Sequence, residues 1–365
     1  MDTQKIMHDN MLCRMLAGSQ AYGTSLPTSD TDYRGLFFAP QEYIRTPFFG
    51  INEVTDTSEE DTKYYEINKF LQLFTLANPN ILELLYTDYS KIELTSDPYE
   101  LLRKNADKML SSKVAFTFSG YAIAQLKRIR GHNKWITNPQ PADAPRQIDY
   151  LTLVQNFTEE KLFKLDIESL RDGWILMPYG GHLYGLYKAD GFQSFNADFT
   201  LKPFKEEQAE NNPFVDETGQ FRKTPQYIVK YNHSQYDADK DMWKNYWNWK
   251  KNRNVARGSL EEQFGYDTKH AMHLVRLLNM GEEILSTGEV HVLRPDAELL
   301  LDIRAGKWTY EEVIEFAEQK DALIRDVLYK TTALPKHPDL EFASKLLIEV
   351  QDMCWSGQIN LRKVT

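Results

Sequence analysis

Only two cysteines, Cys13 and Cys354, occur in 365 residues, and neither belongs to a CxxC pair. A disulfide framework and a cysteine-based zinc site are excluded on that count. No apolar run approaches the ~20 residues that a membrane span needs. The N-terminal MDTQKIMHDN carries no apolar stretch of the signal-peptide kind. Positive charge is also in short supply: 53 acidic against 43 basic residues leave a net charge of −10. That excludes a globally basic nucleic-acid binder but not a local basic patch. Internal repeats and low-complexity tracts are missing too. What is present is 42% hydrophobic and 13% aromatic residues, enough for real cores. At ~100–200 residues per domain, the length predicts two or three domains. The expectation is a soluble, acidic, cytoplasmic protein with no membrane partner. Nothing in the sequence speaks to its oligomeric state.

MLCRML (11–16) reads as a buried strand stopped by Gly18-Ser19, and QAYGTSLPTS (20–29) as turn chemistry. DTDYRGLFFA (30–39) reads as a second strand, and NEVTDTSEED (52–61) as a polar loop or ragged strand start. From Tyr65 the period turns helical, with Ile67, Phe70, Leu71 and Phe74 on one face. Asn78-Pro79-Asn80 ends that helix and NILELLY starts another. Residues 98–131 read as largely helical, and the Pro-rich NPQPADAPR (138–146) as a linker. Two aromatic-rich runs around Gly180-Gly181 predict a β-hairpin, and 202–225, with three prolines, a long loop. Helices are expected at 237–254, 267–286, 296–304, 309–329 and 338–355. The resulting division is an α+β domain at 1–105, a middle region at 106–235 and a helical substrate-binding domain at 236–365. The fold class is α+β: a small mixed sheet flanked by helices, then a largely helical region with a β-hairpin insertion.

GSQAYGTSLPTSDTDYRG (18–35) is the most informative segment. On a strand, residues i and i+2 share a face, so Asp30 and Asp32 present paired carboxylates with Cα atoms about 6–7 Å apart. That suits two divalent ions ~3.5–4 Å apart, as in two-metal phosphoryl transfer. Hard oxygen ligands select Mg²⁺ or Mn²⁺. Gly18 lets the backbone approach a phosphate, and Ser19 adds a hydroxyl. Either half alone is ordinary loop composition; the combination on consecutive strands carries the signal.

GS followed by DxD on the next strand resembles the DNA polymerase beta-type nucleotidyltransferase superfamily. DTKYYEINKF (61–70), NPNILELLY (78–86) and GYDTKHAMHLVRLLNMGEEILSTGE (265–289) extend the resemblance to one branch. That branch is the RNA-repair, RNA-ligase-associated nucleotidyltransferases of bacteria and phages. The resemblance implies a polymerase-beta-like core that uses Mg²⁺ (or Mn²⁺) and takes an NTP as substrate. An acceptor hydroxyl attacks the α-phosphorus and pyrophosphate leaves. It makes RNA the leading partner, through a 3′ end of which a tRNA-like one is an option. The alternatives are a protein hydroxyl, as in antitoxin-type relatives, and a non-catalytic RNA- or protein-binding module. The intact Asp30/Asp32 pair argues against the last. The superfamily's third carboxylate falls on Asp61, with Glu66 as its rival. On an extended chain the two have opposite parity, so only one can easily face the metals. The expected metal ligands are therefore Asp30, Asp32 and Asp61, with Glu66 among the catalytic candidates. The expected nucleotide-binding set is Gly18, Ser19, Lys69, Lys269, His273 and Arg276.

The last three come from a wheel of helix 267–286, at ~100° per residue. Lys269, His273, Arg276 and Met280 form one stripe opposite Ala271, Leu274, Val275, Leu278 and Leu285. A phosphate-contacting face and an ordinary solvated face weigh about equally. WKNYWNWKKNRNVARG (243–258) interleaves aromatics and cations as single-stranded nucleic-acid binders do, against a reading of buried tryptophans beside a solvated edge. KRIRGHNK (127–134) invites the same pair of readings. Asp267-x-x-His270-x-x-His273 only partly shares a helix face, which argues against a zinc site.

Overall fold

The computed structural model describes residues 2–56, 62–156, 170–205, 224–252, 255–357 and 359–364. In chain order the elements begin with α1 (Thr3–Asp9), β1 (Met11–Leu16), α2 (Gly18–Tyr22), β2 (Tyr33–Phe37), α3 (Gln41–Arg45) and β3 (Glu53–Thr55). They continue with β4 (Thr62–Glu66), α4 (Ile67–Thr75), α5 (Pro79–Tyr86), β5 (Ile92–Thr95), α6 (Asp97–Lys104) and α7 (Val114–Thr137). Then come β6 (Leu151–Asn156), β7 (Asp172–Gly180), β8 (Leu183–Gln193), β9 (Tyr227–Tyr231) and α8 (His233–Asn252). The last group is α9 (Val255–Phe264), α10 (Thr268–Thr287), α11 (Ala297–Arg304), α12 (Tyr310–Ala322), α13 (Tyr329–Thr331), α14 (Leu340–Trp355) and β10 (Arg362–Lys363). None of the described helices is long and apolar enough to cross a membrane.

The chain forms two units, one of residues 1–137 with 255–365 and one of residues 138–254. This division differs from the expected 1–105, 106–235 and 236–365. Helical periodicity locates α7 but not its partner: Phe118, Ala122, Leu126 and Ile129 share a core with Leu274, Val275 and Leu278 of α10. Helix α8, expected among the C-terminal helices, lies in the second unit.

The first unit holds a six-stranded mixed sheet in the order β10-β5-β1-β2-β4-β3. β1 pairs antiparallel with β2 and β5, whereas β2 and β4 run parallel. Parallel neighbours need a crossover, and α3 and β3 lie in that connection. Alternation along β2 splits the sheet faces. Leu36 joins the main core with Leu12, Met15, Phe70 and Phe74, while Phe37 joins Met7, Val54 and Tyr64 on the other side. The apolar face read for α4 is buried at Ile67, Phe70, Leu71 and Phe74. Asn78 caps α5 through the Asn80 N–H, with Pro79 in the first turn.

Helix α10 is a core helix rather than a surface amphipath. Its apolar side is buried as expected, but Arg276 and Met280 of the proposed stripe are buried too. The neutralising acid for Arg276 comes from another element, Glu83 on α5, which a wheel of one helix cannot reveal.

The second unit is built on an antiparallel sheet in the order β6-β9-β8-β7. β7 and β8 form the expected hairpin, turning at Gly181 and His182 with positive φ. In α8, Tyr246 is buried, and the Trp243 and Trp247 indoles both donate to the Pro141 carbonyl, at 3.0 and 2.9 Å. Lys250 lies over the Trp247 ring at 5.1 Å. Arg253 and most of the 202–225 loop fall outside the described residues, as does the Arg257 side chain.

Candidate active site

The site begins where β1 ends. The Ala17 N–H donates to the Asp32 carbonyl at 2.8 Å, extending the β1–β2 ladder by one bond past Leu16 and Tyr33. Gly18 follows with φ +57°, a conformation that side chains disfavour. A Cβ on Gly18 would lie 2.4 Å from Asp32 Oδ2. The Asp32 carboxylate thus occupies the place a side chain would need, and only glycine lets it stand against the backbone there. Ser19 continues into the short α2, which ends at Gly23 in the left-handed region.

Strand β2 begins at Tyr33, so Asp30 and Asp32 precede the strand instead of lying on it as expected. Asp-Thr-Asp has poor strand propensity, and the ladder stops where the apolar residues stop. Asp30 is exposed and Asp32 half-buried. Thr62, the first described residue of β4, pairs with Tyr33, so β4 starts beside the same end of β2. Asp61 lies outside the described residues.

Glu66 pairs with Phe37, four strand positions farther along, or about 13 Å at ~3.3 Å per residue. It is 2% exposed, and its carboxylate caps α4 by accepting from the Asn68 N–H at 2.7 Å. Burial pushes this carboxyl up to about 7. The candidate catalytic role for Glu66 is corrected accordingly: it is a cap at the far end of the strand. Lys69 stands in the first turn of that capped helix, its Nζ donating to Gln72 Oε1 at 3.1 Å. It is not among the residues that line the cavity beside Gly18.

A cavity of about 690 Å³ opens beside Gly18, within the size range of small-molecule sites. Asn80, Tyr121, Gln125, Arg128, His273 and Arg276 are among its lining residues, with Tyr22 at the Gly18 side. Two of the three candidates from α10 therefore reach one cavity with Gly18. Lys269, one turn earlier, is half-buried and not part of that lining.

The cationic reading of the α10 stripe needs correcting. Arg276 donates to Glu83 Oε1 at 2.5 Å and lies over the Tyr22 ring at 3.8 Å. The Tyr22 hydroxyl donates to Glu83 Oε2 at 2.6 Å. Glu83 thus holds Arg276 charged in spite of burial and ties α2, α5 and α10 together beneath the cavity. Burial, with Arg276 and Lys269 nearby, pushes His273 down to about 3, so it meets a ligand as a neutral imidazole. The 127–134 run divides among different surroundings. Arg128 faces the cavity, Arg130 pairs with Glu318 at 2.5 Å, and His132 turns to Glu261 at 3.3 Å. Glu83, Asn80 and Gln125 carry no functional reading in the sequence, whereas Arg128 belongs to the basic run read at 127–134. A lone acid inside the apolar ILELLY was the available signal for Glu83.

The donor set at Asp30 and Asp32 is all hard oxygen, one carboxylate solvent-facing and one held against Gly18. That suits Mg²⁺ or Mn²⁺. Residues 2–138 match the RNA repair pathway DNA polymerase beta family, RlaP. The architecture agrees, being α+β with a small mixed sheet and a largely helical C-terminal region. The RlaP match takes in Gly18, Ser19, Asp30, Asp32 and Glu83. It stops at the end of α7, so His273 and Arg276 lie beyond it while lining the same cavity. No curated protein and no solved structure matches the chain.

Proposed function

We propose that the chain is a divalent-metal-dependent nucleotidyltransferase that moves a nucleoside monophosphate from an NTP to a hydroxyl of RNA, most simply a 3′ end. The observation that carries this reading is the Asp32 carboxylate seated in the place of a side chain on Gly18, a residue that itself lines a nucleotide-sized cavity. The RlaP match supports the same chemistry and an RNA acceptor. Asp30 and Asp32 would hold the divalent ions, which when bound neutralise the triphosphate and acidify the acceptor hydroxyl. Gly18 and Ser19 would bring backbone and hydroxyl against the phosphates. Arg128 would offer charge, while Asn80, Gln125 and neutral His273 would offer hydrogen bonds to the nucleotide. Arg276 would act through Tyr22, fixing α2 and with it the Gly18 turn.

The test is incubation of purified protein with each labelled NTP, Mg²⁺ or Mn²⁺, and total RNA or total protein from a host cell. Label in RNA that Asp32→Ala abolishes is the expected result. Label in protein alone would replace the RNA acceptor by a protein hydroxyl. No transfer with any NTP would overturn the enzymatic reading in favour of a binding module.

A further inference from the structure

Away from Asp30 and Asp32, the first unit brings an imidazole and two carboxylates together from three elements. His132 stands near the end of α7, Glu261 on α9, and Asp267 at the cap of α10. Their nearest donor atoms all lie within 4.8 Å of one another. His132 Nδ1 is 3.3 Å from Glu261 Oε1 and 4.0 Å from Asp267 Oδ2. Both carboxylate side chains are 4% exposed. His270 Nε2 reaches the same Asp267 oxygen at 3.5 Å.

We propose that His132, Glu261 and Asp267 form a site for a divalent first-row transition ion such as Zn²⁺, with His270 positioning Asp267. Bonds of about 2.0–2.2 Å in a tetrahedron set neighbouring ligand atoms about 3.3–3.6 Å apart, close to the 3.3 and 4.0 Å from His132 Nδ1 to the two carboxylates. The mixed nitrogen and oxygen set separates this site from the all-oxygen pair at Asp30 and Asp32, since imidazole favours transition ions over Mg²⁺. A dication would offset both buried carboxylate charges. The sequence alone pointed away from a zinc site, because Asp267, His270 and His273 only partly share a helix face. The fold replaces His273 by ligands from α7 and α9.

The placement suggests what the ion would do. His132 precedes the point where the chain leaves the first unit, and Glu261 follows the point where it returns. An ion held by both would close that long excursion at its base, where loop-closure entropy makes a cross-link most effective. Asp267 also caps α10 through the His270 N–H at 2.9 Å, so fixing it fixes the start of the helix that carries His273 and Arg276.

The experiment uses the full chain, stripped with a chelator and dialysed against Zn²⁺ in the presence of excess Mg²⁺. Metal content is then read by atomic emission. One zinc per chain is expected, with a rise in Tm, and the Asp30→Ala/Asp32→Ala double variant should retain it. Loss of an outer-shell partner commonly weakens metal binding ~10–100-fold, which is the range expected for His270→Ala. Glu261→Gln and His132→Ala should weaken Zn²⁺ by at least about 100-fold. Co²⁺ should give visible ligand-field absorption in the wild-type chain and none in Glu261→Gln. If His132→Ala does not fold, the near-isosteric Glu261→Gln and the wild-type stoichiometry still decide. A wild-type chain that takes up no Zn²⁺ under excess Mg²⁺ overturns the site and leaves an ion-pair cluster. Zinc lost with Asp30 and Asp32, or unaffected by a folded Glu261→Gln, overturns it as well.

Discussion

The two ends of the β2–β4 ladder carry the same functional group in opposite circumstances. At the start, Asp30 is exposed and Asp32 half-buried, next to a backbone cleared by Gly18. At the finish, Glu66 is sealed in, capping α4 and held toward its neutral form by burial. A carboxylate that is to meet a cation must keep its charge and its access. One that caps a buried helix needs neither. Sequence parity could not separate these roles, because it reports the face of a strand and not the position along it.

The largest effect should come from the accessible end. Asp32→Ala and Asp30→Ala should each lower nucleotide transfer by at least about 10³-fold, the several kcal/mol that bound metal contributes to the transition state. Glu66→Gln should keep near-normal transfer in the same labelled-NTP assay. Equal losses at both ends would erase the comparison. Removing one of two neighbouring like charges also relieves repulsion, so the Tm of the aspartate variants without metal should hold or rise slightly.

Next in size is Arg276→Ala, which strands Glu83 in the interior. A buried ion pair broken on one side costs about 3–5 kcal/mol, measurable by urea unfolding. Replacing both partners by apolar residues, Glu83→Leu with Arg276→Met, should recover much of the loss. A simple surface cation would instead show almost no change. Gly18→Ala tests the seat of Asp32. Strain at positive φ should cost about 1–3 kcal/mol, and displacing the carboxylate by roughly an ångström should cost transfer about 10²-fold.

The buried end has its own signature in pH. Glu66 titrates at an ordinary 4.5 when unfolded and at about 7 when folded, so folding favours its protonated form. Its contribution is fully present below pH 4.5 and is lost as pH rises through 7. Glu66→Gln keeps an acceptor for the Asn68 N–H but does not titrate. It should therefore gain on the order of 2 kcal/mol relative to wild type between pH 5 and pH 8, read from urea midpoints. The smallest effect should be that of Lys69→Ala. Among the described residues Lys69 is joined locally to Gln72, and the change should move stability by less than about 0.5 kcal/mol and leave transfer unaltered.

What could be read without coordinates follows from the range of each signal. Short-range patterns were legible: the strand MLCRML, the buried face of α4, the helix break at Asn78-Pro79-Asn80 and the Gly180-Gly181 hairpin all depend on neighbours within a few residues. The start of β2 was misplaced because the Asp32 carbonyl joins the ladder while Asp30 does not. Contacts between distant segments were not legible. Arg276 and Glu83 are 193 positions apart, and no helix wheel joins them. A comparable separation in sequence hides His132 from Glu261 and makes α7 look like part of a middle region.

The interruption of the first unit's chain by residues 138–254 also bears on how the protein is made. A ribosome delivers α7 well before α10, the helix against which Phe118, Leu126 and Ile129 are buried. At ~5–20 residues per second the delay is on the order of 10 s, far longer than hydrophobic collapse takes. During that interval the apolar face of α7 is an opportunity for mispairing with other nascent chains. The inserted unit can complete its own sheet in the meantime. A chaperone that shields an exposed helix for some seconds would thus matter more to the yield of this protein than one that assists its final packing.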